Sequence, residues 1–238
     1  MRRALIAVAL TLIMGQTAYA ADERLVVVEL FTSQGCYSCP PADRFAGKLR
    51  QRKDVLPLSY HVDYWDYIGW KDPFALPGND ERQRDYAASF GLHSIYTPQM
   101  IVAGQSEGVG SDERLIEKLI SNVKQNGRFE TTPVMALNMD GSLRVDLPDT
   151  EFIGEAAVLM IAFQGEKTQI ISRGENAGKT LTYYNVVRKV QRIGTWHGET
   201  TQFDLGLPGD LPKGTDGCAI LIQDPVSGAI IGATRMNI

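Results

Sequence analysis

The run Gly35-Cys36-Tyr37-Ser38-Cys39-Pro40-Pro41 leaves the backbone few choices. Proline has no N–H and its ring holds φ near −65°, so two in a row fit best where a helix begins and the first amides have no partner inside it. Helical spacing follows at once: Ala42, Phe45, Ala46 and Leu49 recur on one face, with Lys48, Arg50 and Arg52 on the other. Upstream, Leu25 to Phe31 is a continuous apolar run of the kind found in strands covered on both faces, and Val55 to Val62 reads as a second strand. Strand, helix and parallel strand make a right-handed unit.

Two cysteines at a helix start can close a small disulfide ring with little backbone movement. The first thiol faces the positive end of the helix dipole and unpaired amides, which favour thiolate. In such motifs the thiol titrates at roughly 3.5 to 7.5 instead of about 8.5. Cys36 is then the nucleophile, and the more shielded Cys39 resolves the mixed disulfide. Tyr37 and Ser38, between them, tune the couple. Cys218 is left unpaired in an apolar run, Gly217 to Ile222, and reads as a small core residue.

Further along, Asn79 to Phe90 reads as a helix capped by Asn79 and stopped by Gly91. Gln99 to Gly104 is a strand with a short return near Ser106 to Val109. A last helix begins after a cap at Ser111 and carries Leu115, Ile116, Leu119, Ile120 and Val123 as its buried stripe. Beyond Pro133 the rhythm becomes that of short strands between turns, including a hairpin at Asp140-Gly141. Asn185 to Ile193 fits either a strand or a short helix. This pattern predicts an all-β, sandwich-like C-terminal part.

The element order and the cysteine motif resemble the thioredoxin superfamily. Phe31-Thr32-Ser33-Gln34-Gly35-Cys36-Tyr37-Ser38-Cys39 is similar to a glutaredoxin-like strand and turn, and Tyr96-Thr97-Pro98-Gln99 to the Thr-Val-Pro-Gln strand of the same group. The resemblance implies a cis Pro98 facing the cysteines, with Thr97 beside it. It also implies that a buried acid near Glu29 assists proton transfer to the second cysteine, although Glu29 is one residue further from the pair than that acid. Longer stretches resemble the secreted bacterial proteins of domain-of-unknown-function family 1223: Glu29 to Cys36 with Pro40-Pro41-Ala42-Asp43, His61 to Phe74, and Arg173 to Leu181. That likeness implies an α/β thioredoxin-like fold over 21–129, with an aromatic insert at 63–77, followed by a β-rich domain over 130–238 packed on the first.

His61, Asp63 and Trp65 lie at the C-terminal end of the second strand, where ligands of open α/β sheets bind, and are candidates for lining the site. Packing of the insert and a buried hydrogen bond are their alternative roles. Arg173 to Lys179 reads as a turn or a binding loop.

Residues 1–20 have a basic start, an apolar run from Ala4 to Met14 and a small-x-small ending at Ala20, the pattern of a cleaved secretory signal. The expected compartment is periplasmic or extracellular, with no stable membrane insertion. Without Arg2 and Arg3 the chain carries 22 basic against 28 acidic side chains, which argues against nucleic acid as a partner. The leading expectation is an exported thiol–disulfide oxidoreductase acting on a protein or small thiol, with no cofactor other than the Cys36/Cys39 couple and no metal. Glutathione is suggested by Thr97-Pro98 and the helix start near Ser111-Asp112. Two alternatives stand beside it: a binding module stapled by a structural disulfide, and Cu(I) capture by two thiolates with His61 assisting.

Overall fold

The computed structural model describes residues 24–206 and 211–238, so the expected signal segment lies outside the described residues. β1 (Val26–Thr32) leads through the cysteine loop into α1 (Pro40–Arg50) and β2 (Val55–His61). A 3₁₀ turn (Asp66–Ile68), α2 (Pro77–Ser89), β3 (Gln99–Val102), β4 (Ser106–Val109) and α3 (Glu113–Asn126) follow. The remaining described elements are strands: β5 (Val134–Leu137), β6 (Leu143–Leu147), β7 (Ala156–Ile170), β8 (Thr180–Trp196), β9 (Thr201–Leu205), β10 (Gly217–Gln223) and β11 (Ile230–Asn237). No helix among the described residues is long and apolar enough to cross a membrane.

The expected thioredoxin-like α/β fold followed by a β-sandwich does not form. Eight strands make one mixed sheet in the order β11-β10-β7-β8-β2-β1-β3-β4, and β5-β6-β9 make a second sheet of three. β8 lies parallel to β2, meeting it at Ser59 and Val186, so the C-terminal strands extend the sheet begun by β1 and β2. The product is mostly β, with three α-helices among the described residues. Ala156–Phe163 and Gly217–Gln223 are buried at every position, as strands in the interior of a broad, doubly covered sheet must be. Turn spacing reveals strands; it does not reveal their neighbours.

Alternation along the strands sets the cores. On one face Val27, Phe31, Leu58, Tyr60, Ile161 and Leu221 join Tyr86 of α2 in a layer running from β1 to β10. On the other, Val28 and Leu30 meet Phe45 and Leu49 of α1 and Ile116 and Ile120 of α3. The rest of that face packs Val158 and Ile220 against Leu143, Val145 and Leu147 of the small sheet.

Local boundaries differ from the sequence reading in two places, and one stretch left open takes one of its two expected forms. Leu76, not Asn79, precedes α2, and the Asn79 side chain instead donates to the His61 carbonyl at 2.7 Å. Asp112, not Ser111, caps α3 by accepting the Leu115 amide at 3.0 Å. The ambiguous stretch Asn185–Ile193 is strand, inside β8.

Candidate functional site

Cys36 and Cys39 form a disulfide with their Cα atoms 5.4 Å apart. Their loop is folded by its own polar groups: Cys36 N–H donates to the Ser33 carbonyl and Gly35 N–H to Ser33 Oγ, both at 3.1 Å. The Asp43 amide donates to the Cys39 carbonyl at 3.1 Å, which starts α1. Because Pro40 and Pro41 carry no N–H, Ala42 is the first residue of α1 that can donate, so the expected crowd of free amides around Cys36 is thin. Ser38 Oγ, 3.4 Å from Cys36 Sγ, is the polar group beside it.

Both cysteines are 0% exposed. The aromatic insert covers one side: Trp65 Nε1 donates to Thr97 Oγ1 at 2.7 Å, and Trp70 Nε1 to Gln34 Oε1 at 2.9 Å. Trp65 sits so close that a Cβ on Gly35 would lie 3.1 Å from the Trp65 Cβ, so a side chain there would press on the insert. Residues 171–179, the connection between β7 and β8, cover the other side. Asn176 Nδ2 donates to the carbonyls of Gln34 and Cys36 at 2.9 Å each, and Glu175 Oε2 accepts the Tyr37 amide at 3.1 Å. Lys179 Nζ donates to Asn176 Oδ1 at 2.8 Å and stands 4.6 Å over the Tyr37 ring. Tyr37 itself points outward, 67% exposed.

A buried polar cluster lies behind the pair. Thr32 and His61 are register partners on β1 and β2, and both face α1. Thr32 Oγ1 donates to Asp43 Oδ1 at 2.8 Å; His61 Nδ1 lies 2.7 Å from Asp72 Oδ2, which also accepts the Gln34 amide at 2.8 Å. The His61 ring packs edge-on against Tyr183, 4.7 Å between centroids. Burial pushes the Asp43 carboxyl up to about 7, against the pull of His61 and the Thr32 hydroxyl. Burial pulls Asp72 upward too, but His61 and the Gln34 and Phe74 amides hold it below the usual carboxylate range. Burial also raises the Tyr183 phenol, helped by the negative charge of Asp43 and Asp72. Asp43 Oδ2, His61 Nε2 and the Tyr183 hydroxyl are enclosed without a hydrogen-bond partner.

Of the other sequence candidates, the Thr97–Pro98 peptide is cis, and the Pro98 carbonyl accepts the Gly110 amide at 2.9 Å. Asp63 is exposed, with its amide 3.4 Å from Asp80 Oδ1. Glu29 faces α2, on the side of the sheet away from α1. Its carboxylate is taken by Arg82 at 2.7 Å and by the Tyr86 hydroxyl, which removes it from the cysteine pair. Sequence reasoning missed Asp43, Asp72, Tyr183 and Asn176. One signal was present for Asp43: it falls on the apolar stripe of α1, four residues after Cys39.

Fold and site together define a largely β protein with a C-x-x-C disulfide at a helix start, enclosed by two segments distant in sequence. The chain belongs to the family described as protein of unknown function DUF1223, whose profile matches residues 27–223. It is similar to the crystal structure of protein AGR_C_4864 from Agrobacterium tumefaciens, with 37% identity and a TM-score of 0.78, covering 89% of this chain and 93% of that one. HBP35 of Porphyromonas gingivalis shares the fold at 14% identity and a TM-score of 0.61, over 91% of this chain and 76% of that one. No curated protein matches the chain.

Proposed function

We propose that this chain is an exported thiol–disulfide exchange protein whose working group is the Cys36/Cys39 couple, enclosed at rest and reactive when its cover opens. The observation that carries this reading is the bond's sequence separation of 3. A ring that small removes little freedom from the unfolded chain, about 2 kcal/mol, against about 4.7 for a 100-residue loop. As a staple it is poor; as a reversible couple its spacing is apt. The likeness of Cys36-x-x-Cys39 and Thr97-Pro98 to glutaredoxin-like motifs supports the same reading, and the character of residues 1–20 supports export.

Exchange balances without a further cofactor. An incoming thiolate bonds to Cys36 Sγ, the Cys36–Cys39 bond breaks, and its electron pair leaves on Cys39 Sγ. We assign that sulfur's proton to Asp43, one helical turn past Cys39 on the same buried face; Asp43 takes it back when Cys39 attacks Cys36 Sγ, which breaks the mixed disulfide and expels the other sulfur as thiolate.

A second reading, a structural disulfide in a binding module, is favoured by the complete burial of both cysteines. Reduction potential and exchange kinetics separate the two. A working couple equilibrates with a dithiol at a potential above about −300 mV, whereas a staple lies below it and stays inert. Inertness of the folded protein toward every thiol tried would sink the first reading.

A further inference from the structure

Three main-chain groups of the cysteine loop are satisfied by side chains some 140 residues away in sequence: the carbonyls of Gln34 and Cys36 and the amide of Tyr37. The partners are adjacent residues, Asn176 giving a donor and Glu175 an acceptor. A donor and an acceptor side by side are what an extended peptide backbone offers when it lies along an exposed main-chain edge. Asn176 is fully buried in this role, and Lys179 fixes its amide by holding Oδ1 at 2.8 Å. The loop therefore caps the main chain of the cysteine turn beside the reactive pair, covering the carbonyls of Gln34 and Cys36 and meeting the Tyr37 amide at the surface.

We propose that the Gln34–Tyr37 edge is the docking site for an extended peptide segment bearing a cysteine, and that Glu175 and Asn176 are an intramolecular stand-in which that segment displaces. This rests on the exchange reading above and names its substrate class. A free thiol offers these groups no more than water does. A peptide pairs with them as it arrives, and its thiolate meets Cys36 Sγ. The new bond joins peptide sulfur to Cys36, the electron pair of the old bond goes to Cys39, and Cys39 takes up a proton. The exposed Tyr37 ring flanks the same edge and offers the arriving chain an apolar surface.

The test measures the rate of Cys36–Cys39 opening in the wild type, Glu175→Ala and Asn176→Ala. The probes are free cysteine and a short end-blocked peptide with a central cysteine, compared at equal thiolate concentration. With free cysteine the rate rises several-fold in Glu175→Ala and about tenfold in Asn176→Ala, the scale set by loss of one to two hydrogen bonds. With the peptide, all three proteins react at least tenfold faster than with free cysteine. Unchanged rates in both variants overturn the stand-in, and a peptide no faster than free cysteine overturns the docking edge. Glu175→Ala removes only an exposed contact, so it keeps the test sound if Asn176→Ala fails to fold. Should no protein react with either thiol until it is unfolded, the exchange reading itself falls, an outcome distinct from the other two.

Discussion

Asp43 lies one helical turn beyond Cys39 on the buried face of α1, its amide bonded to the Cys39 carbonyl at 3.1 Å and its Oδ2 without a partner. Burial moves its carboxyl from 3.8 to about 7. A group whose folded pKa is raised favours the fold while protonated, so its contribution is full below pH 3.8 and is lost as pH rises toward 7. The loss amounts to about 4 kcal/mol by pH 8. Asp43→Asn, neutral at every pH and able to keep the Thr32 contact, is therefore more stable than wild type at pH 8. Near pH 4 the two converge. Urea unfolding of the oxidised proteins at the two pH values measures this, and parallel curves at both would contradict it.

Glu29 and Arg82 form an ion pair at 2.7 Å that is closed to solvent on the carboxylate side. Arg82 also donates to Gln223 Oε1 and to the Tyr86 hydroxyl oxygen, and the Tyr86 hydroxyl donates to Glu29. Removing one partner leaves the other charge buried and unpaired, at a cost of about 3 to 5 kcal/mol. Arg82→Met is expected to lose that much stability while its disulfide opens at the wild-type rate, because the sheet separates Glu29 from α1. Denaturant melts paired with thiol exchange rates decide it; a slowed exchange in the folded variant would return Glu29 to the cysteine site.

The sequence disclosed what depends on neighbours along the chain. Pro40-Pro41 marked the start of α1, the Ala42-Phe45-Ala46-Leu49 stripe marked its buried face, and Asp140-Gly141 fell at a turn between β5 and β6. What it hid depends on pairing at long range. The insertion of β8 beside β2 joins Ser59 to Val186, and no periodicity records that choice. Asn176 reads locally as a turn residue, and its role exists only because the hairpin folds back onto Cys36. Asp72 belongs to the aromatic insert, and its bond to His61 exists only because the insert folds back over the end of β2.

Cys218 sits within β10, fully buried between Ala162 and Met236 of the flanking strands. Burial pushes its thiol up to about 11, which leaves about 0.1% thiolate at pH 8. Native oxidised protein is expected to give no measurable reaction with a thiol reagent over minutes, and one reactive thiol per chain after unfolding. Rapid native labelling at Cys218, located by peptide mass mapping, would show that the β7-β10-β11 layer opens.

Loss of the Cys36–Cys39 bond separates what the bond does for stability from what it does in exchange. The closed ring spans a sequence separation of 3, and its two ends are already fixed by β1 and by α1. Chain entropy therefore assigns it about 2 kcal/mol, the bottom of the range of about 2 to 5 kcal/mol seen when small secreted domains lose a disulfide. The loop also keeps its ties to Asp72, Trp70 and Asn176, none of which involves sulfur. The Cys36→Ser, Cys39→Ser double variant is thus expected to fold, to lose about 2 kcal/mol in denaturant unfolding, and to lose all thiol exchange. A loss of 4 kcal/mol or more would mean that the bond's chief work is to hold the cover and the cysteine loop together, and the structural reading would then displace the catalytic one.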